Sequence, residues 1–365
     1  MYIRQLEAKN LPYNSTQAGA HSFITREPEL LKKLTDRPNT ALRVFFEPLT
    51  NKLKYYNWGY PFPAYDNIKT TPTIQQSNLL EATIIQNTLA LYDLAPRVYQ
   101  IAIVKYQGKR YPAQLVEDLG EQVNDLSSSD RSALLTKIEK IAGAHGIETD
   151  YLDVGQVTNF IKGKFVDLQG WKLKQEYLAD LIYRYENLAT WSNNTYQSVP
   201  ELNIKGRRDN QRRVELLGLE TVDHKDKYVL DIGTSGGYFA RYAMSKGAKR
   251  VTGIDLPEVA KITAEVSYYL GYHDIDYLGI NIQKNEDLHV GYIPDIIYYL
   301  SMNRYLQDLP ILQTAKTLIY EHNGDEPVEV AIERLAKHYT YVEDLGDTGT
   351  ETGAEDPRHS YLLRK

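Results

Sequence analysis

Short apolar runs recur through the C-terminal half of the chain: KYVLDI (227–232), KRVTGID (249–255), IDYLGI (275–280), DIIYYLS (295–301) and TLIYEH (317–322). Stretches of helical period lie between them, with short connectors. That alternation predicts a mostly parallel sheet covered by helices on both faces. Two further strand patterns, YTYVEDLG (339–346) and HSYLLRK (359–365), flank the polar loop GDTGTETGAEDP. The loop is too short to hold a crossover helix, so this last pair is expected to be antiparallel.

The N-terminal half has a different rhythm. Residues 77–120, SNLLEATIIQNTLALYDLAPRVYQIAIVKYQGKRYPAQLVEDLG, read as a helix, a strand, a tight turn, a strand and a short hinge at VED. Asn78 and Glu81 suit a capping box, and Leu80, Ile84, Leu89 and Leu91 give the helix an apolar face. A long helix, SSSDRSALLTKIEKIAGAHGI (127–147), opens on serine and aspartate caps. A short apolar hairpin between Asn159 and Asp167 and one amphipathic segment, KLKQEYLADLIYRYENLATW (172–191), complete this half. Residues 1–44 read as an irregular arm followed by a short helix at EPELLKKLTDRPN.

At 365 residues the chain is long enough for two domains, expected at 45–192 and 193–365 behind the arm. With no cysteine, disulfide scaffolds, cysteine zinc sites, thiol nucleophiles and iron–sulfur clusters are excluded. A formal net charge of -6 disfavours a general nucleic-acid binder. The first thirty residues hold no apolar core of the kind a signal peptide needs, and no run approaches a membrane span. A cytoplasmic protein is therefore expected, with the oligomeric state left open. The 30 tyrosines suit either polar ligand grooves or a half-buried surface.

The chemistry concentrates at the first C-terminal strand, which ends in DIGTSGGYFARYAM. Gly233 and Gly237 let a ligand approach the backbone, and Asp255, 24 residues after Asp231, is placed to accept hydrogen bonds from a ribose diol. A dinucleotide would bring a pyrophosphate dianion to this turn, where Asp231 would repel it. The ammonium and sulfonium of S-adenosylmethionine suit a nearby carboxylate.

The stretch VLDIGTSGGYFARYAMSKGAKRVTGID resembles motif I and the downstream acid of class I S-adenosylmethionine-dependent methyltransferases, and the likeness extends over about residues 205–365. It implies a doubly wound, seven-stranded Rossmann-like α/β sheet with a terminal antiparallel pair. It also implies that Asp231 and Gly233 frame the cofactor's methionine end, that Asp255 binds the ribose, and that Asn281 stands near the adenine, where many members carry an acid. Ser301, Met302 and Asn303 would lie near the transferred methyl. The SMNRY sequence lacks the N/D-P-P-Y/F motif of amide methylases, which disfavours DNA amine methylation. His322 is a candidate general base, although a strand-end histidine also serves as a satisfied polar group. KGRRDNQRR (205–213) offers either arginine forks that match phosphate or carboxylate, or a solvated helix face opposite acidic neighbours.

The order of elements over residues 45–190 resembles the aminoglycoside-phosphotransferase and small-molecule kinase family, here as a shortened α+β domain. The likeness implies that Glu81 is the helix glutamate and that Asn159 and Asp167 hold Mg2+ beside ATP. The family's catalytic Asp, the base, normally lies five residues before the asparagine; that position is Val154, so Asp153 is the candidate to replace it. No convincing glycine-rich phosphate loop precedes the helix, and Lys54 and Lys69 are the candidates to pair with Glu81. An active kinase, a nucleotide-binding or inert scaffold, and an unrelated fold all remain readings of this half. For the whole chain, the leading expectation is a methyltransferase acting on a phosphorylated glycan or another small polar acceptor. The alternatives are a structural or assembly protein, or a methyltransferase of nucleic acid or protein.

Overall fold

A computed structural model describes residues 4–8, 22–45, 79–120, 126–149, 160–165, 171–174, 176–188, 195–282, 288–302, 309–352, 354 and 357–365. The candidates Asp153, Asn159 and Asp167 lie outside the described residues, as do Lys54, Lys69, Asn78, Val154 and Asn303. The chain divides into two compact units: residues 1–180 with 268–273, and residues 181–267 with 274–365.

The first unit is α+β. Its strands are β1 (Arg4–Glu7), β2 (Ser22–Thr25), β3 (Thr40–Phe45), β4 (Val98–Tyr106) and β5 (Lys109–Glu117), in the sheet order β1-β4-β5-β3-β2. β1 runs parallel to β4 and every other pairing is antiparallel. The segment expected to be an irregular arm thus contributes three strands to the sheet. Its helix, α1 (Pro28–Leu34), buries Leu30 and Leu34 against Leu42, Val104 and Leu115.

Helix α2 (Leu79–Ala90) is buried on nearly every side, so its polar residues need internal partners. Asn87 supplies a two-way bridge: its Oδ1 accepts from Val98 N at 2.8 Å and its Nδ2 donates to Val98 O at 2.9 Å. Gln86 Nε2 donates to Pro96 O at 2.7 Å, and Gln114 Nε2 to Thr83 Oγ1 at 2.7 Å. Ile85 and Leu89 pack with Ile138 and Ala142 of α3 (Ser128–Ala144), which is capped by Ser127 Oγ accepting from Asp130 N. Short strands follow: β6 (Ile147–Glu148), β7 (Phe160–Ile161), β8 (Lys164–Phe165) and β9 (Lys172–Leu173). β7 and β8 form the expected hairpin, turned by Lys162 and Gly163 at φ 48° and 75°.

The second unit begins within α4 (Tyr177–Glu186) and continues through α5 (Asn210–Leu216) into an alternating series. That series is β10 (Tyr228–Ile232), α6 (Tyr238–Ser245), β11 (Arg250–Asp255), α7 (Pro257–Tyr269), β12 (Ile275–Gly279), β13 (Ile296–Leu300), β14 (Thr317–Glu321), α8 (Val328–Ala336), β15 (Tyr341–Asp347) and β16 (His359–Arg364). The sheet order is β12-β11-β10-β13-β14-β16-β15. The first five strands are mutually parallel, and β16 is antiparallel to both neighbours. This is the doubly wound, Rossmann-like sheet with a terminal antiparallel pair that the sequence predicts. Strand order reverses between β10 and β13, and the carboxyl ends of strands at such a reversal are where open α/β sheets bind ligands.

Candidate cofactor site

The candidate site is built around the turn from β10 to α6. Gly233 N and Thr234 N both donate to Ile254 O, at 2.9 and 3.0 Å, tying the turn to the neighbouring strand. The turn then passes through the left-handed region at Gly233 (φ 75°), Ser235 (φ 50°) and Gly237 (φ 75°). Serine at such an angle is unusual, and Asp255 holds it: Asp255 Oδ2 accepts from Ser235 N at 2.7 Å. Its Oδ1 accepts from Leu256 N at 2.8 Å. Each carboxylate oxygen keeps a further lone pair, so the pair can still receive two donors of a diol.

Asp231 is 2 % exposed and its Oδ2 accepts from Thr234 Oγ1 at 2.7 Å. Burial, reinforced by the nearby charge of Asp255, pushes its carboxyl up to about 7, against the pull of Thr234 and Arg213. Burial also raises Asp255, against the donors of Ser235 and Leu256. Asp231 and Asp255 therefore meet at one turn as two desolvated acids, a site whose ionised form a bound cation would stabilise.

The glycines answer first to the chain's own packing. A Cβ on Gly236 would collide with Tyr185 Oη, and one on Gly237 would lie 2.6 Å from both Thr263 Cγ2 and Tyr277 Oη. A Cβ on Gly233 would meet the thioether of Met302, 2.8 Å from its Cγ and 3.1 Å from its Cε. Beside Met302, Ser301 is left-handed at φ 59°. Ser301 N donates to Glu321 O at 2.9 Å, and Asn323 Nδ2 donates to Ser301 O at 2.6 Å. Asn281 follows the end of β12 and is half-buried, next to Ile280, whose N donates to Asp255 O at 2.8 Å.

His322 is buried, with Nε2 2.8 Å from Glu326 O and Nδ1 3.1 Å from Tyr320 Oη. A carbonyl only accepts, so Nε2 carries the proton and Nδ1 receives the tyrosine hydroxyl. Both nitrogens are thus engaged, and proton abstraction by His322 requires breaking one of these bonds.

The arginine segment divides between the chain's own carboxylates and solvent. Arg208 and Arg213, each 1 % exposed, converge on the buried carboxylate of Glu321 at the end of β14. Burial alone would raise Glu321, but Arg213 and Arg208 outweigh it and hold the carboxyl below its usual range. Arg208 also donates to Thr352, through Nε to its carbonyl at 3.1 Å and Nη2 to its hydroxyl at 2.8 Å. The cluster is therefore a bolt that fixes the loop after β15 to the end of β14. Arg212 faces solvent and pairs with Glu215 at 2.8 Å.

In the first unit, a pocket is lined by Ile24, Ala41, Val116, Arg26, Arg43 and the Glu117–Gly120 segment. Arg26 grips Asp118 in a fork, at 2.6 and 2.7 Å, which holds that carboxyl below its usual range. Glu81 accepts from Leu173 N at 2.8 Å, and burial raises its carboxyl. Lys164, from the β7–β8 hairpin, binds both Glu117 and Asp93 at 2.8 Å.

Comparison with known proteins finds no matching family model and no matching curated protein. Among solved structures, the chain is similar to precorrin-6y C5,15-methyltransferase from Geobacter metallireducens GS-15: identity is 15%, TM-score 0.35, covering 47% of this chain and 95% of that one. It is similar to the N-methyltransferase NodS from Bradyrhizobium japonicum WM9 at 18% identity and TM-score 0.34, covering 43% of this chain and 96% of that one. It is also similar to the bifunctional kinase-methyltransferase WbdD, at 19% identity and TM-score 0.38 over 51% of this chain. That match spans 46% of WbdD. With TM-scores of this size, the fold assignment rests on strand order and register. Five parallel strands closed by an antiparallel pair are what the methyltransferase resemblance of the sequence implies.

Proposed function

We propose that the second unit binds S-adenosylmethionine at the turn after β10 and directs methyl transfer to a small polar acceptor. The carrying observation is the meeting of Asp231 and Asp255 at the strand-order reversal. The donor set fits the cofactor: a desolvated acid suits its cationic methionine end, and an acid with spare acceptor capacity on both oxygens suits its ribose. When bound, the cofactor supplies an electrophilic methyl on a sulfonium. Around it, Asp231 would balance positive charge, Asp255 would orient the ribose and hold Ser235, and Asn281 would face the adenine. Ser301 and Met302 would border the reacting methyl. His322 is assigned as the base only if its ring leaves Glu326 O or Tyr320 Oη, and the histidine otherwise supports the strand end.

The test is equilibrium binding of S-adenosylmethionine to the full chain, with Asp231→Ala expected to abolish it. Absence of cofactor binding by both the wild-type chain and Met302→Ala removes the proposal.

The pocket of the first unit favours an accompanying reading. An apolar slot ending in the VED segment suits a flat nucleotide base, so we assign ATP to this unit, with Mg2+ at Asn159 and Asp167 and Asp153 as the catalytic base. The pairing of the two units suggests an acceptor that is a phosphorylated glycan or a related small molecule. ATP with Mg2+ should raise the melting temperature, and Asp167→Ala should remove the rise. A wild-type melt indifferent to ATP and Mg2+ makes this unit a scaffold.

A further inference from the structure

Three features of the β13 exit go beyond bordering the reacting methyl. The Met302 side chain lies against Gly233, in the space a Cβ would need, while the residue as a whole is only half-buried at the edge of the sheet core. Ser301 holds a left-handed backbone at φ 59°, a strained conformation for a residue with a side chain. Its Oγ is buried with no hydrogen-bond partner among the described residues, a costly arrangement. Two bonds keep the segment in this state, Ser301 N to Glu321 O and Asn323 Nδ2 to Ser301 O.

We propose that Met302 is a displaceable plug that occupies the methionyl end of the cofactor site, so that cofactor binding requires the Ser301–Met302 segment to move off Gly233. This inference rests on the S-adenosylmethionine reading. The chemistry of the occupant supports it. Methionine carries the same CH2–CH2–S chain as the cofactor's amino-acid arm, so its thioether fills the same shape against a glycine. It is also the most adaptable apolar side chain, with three rotatable bonds, and therefore gives way at low cost. The strain at Ser301 raises the energy of the plugged state, which keeps the opening penalty small. Movement also lets Ser301 Oγ find a partner. The plug makes the apparent affinity for cofactor lower than the intrinsic affinity by the fraction of open molecules.

The sequence makes the test direct, because the chain has only three methionines: Met1, Met244 and Met302. Full-length protein labelled with 13C-methyl methionine gives three signals, with Met302 assigned by its loss in Met302→Ala. S-adenosylhomocysteine is then titrated into wild type and variant, by methyl NMR and by calorimetry. The expected result is a shifted Met302 methyl with Met244 unmoved, and binding to Met302→Ala tighter by on the order of tenfold. Heat with Met302→Ala but none with wild type also supports the plug. Heat with wild type and an unshifted Met302 methyl overturns the plug and leaves the cofactor reading standing. Absence of heat with both proteins overturns the cofactor reading, and the plug with it.

Discussion

Replacing Asp231 with asparagine separates two consequences of burying a carboxyl beneath the β10 turn. Asparagine keeps an oxygen to accept from Thr234 Oγ1 and nearly the same volume, but it cannot ionise. In the folded chain the acid titrates near 7, against 3.8 for an ordinary aspartate. Between those two values the native protein holds a proton that the unfolded chain has released. Stability is therefore fully supported at low pH and falls as pH rises through the window. At about 1.4 kcal/mol per pH unit, the full span is worth ~4 kcal/mol, of which ~2 kcal/mol falls between pH 5 and pH 7, where the folded acid is half-titrated. Asp231→Asn should thus gain on wild type by ~3 kcal/mol from about pH 5 to about pH 8 in urea denaturation of the full chain. Binding of a cationic cofactor should move the opposite way, because the variant has no charge to offer. A stability difference that does not change with pH would refute the account of Asp231 as a desolvated acid. An unchanged cofactor affinity would refute its role toward the ligand.

Glu321→Gln leaves Arg208 and Arg213 buried side by side without a counter-charge, so denaturation should show a loss of about 3–5 kcal/mol, larger than that of Arg213→Met. Gly237→Ala demands a strained φ of 75° and sets a Cβ 2.6 Å from Thr263 Cγ2 and Tyr277 Oη. A loss of about 2–4 kcal/mol is expected, and a melting temperature equal to wild type would contradict the packing described for the turn. His273, buried beside Asn87, is held neutral by burial and by Arg97, with its pKa pushed down to about 3. The unfolded histidine takes up a proton below about 6.5, so stability falls as pH drops beneath that value. His273→Gln should flatten the difference between pH 6.5 and pH 4, and parallel curves for the two proteins would show that His273 is not buried neutral.

The parallel sheet was legible because its strands signal locally. IIYYL of β13 is buried at every position, and β10, β11 and β14 are nearly so, which writes each strand as a short, mainly apolar run. Expected and observed limits agree within one or two residues for most strands. The strands of the first 45 residues carry no such signal. RQLE and SFIT are four residues long, and β1 finds its partner in β4, 98 residues further along. Chain-distant partners also explain what was missed at the site. Arginine spacing said nothing of Glu321, 113 residues from Arg208 and 108 from Arg213. The glycine pattern pointed to a ligand, whereas Tyr185, Thr263, Tyr277 and Met302 each claim part of the space beside it. A polar residue just after the fifth strand, Asn323, was the one local hint that the β13 exit is tied down.

The central claim is that the acids at the ends of β10 and β11 hold S-adenosylmethionine. Calorimetric titration of the full chain with that compound at about pH 8 tests it, with Asp255→Asn alongside and circular dichroism to confirm that the variant is folded. One-to-one binding that weakens by on the order of tenfold or more in Asp255→Asn is the predicted result, since one charge-assisted acceptor of the ribose is lost. No binding by either wild type or Met302→Ala, or equal binding by wild type and Asp255→Asn, would contradict it.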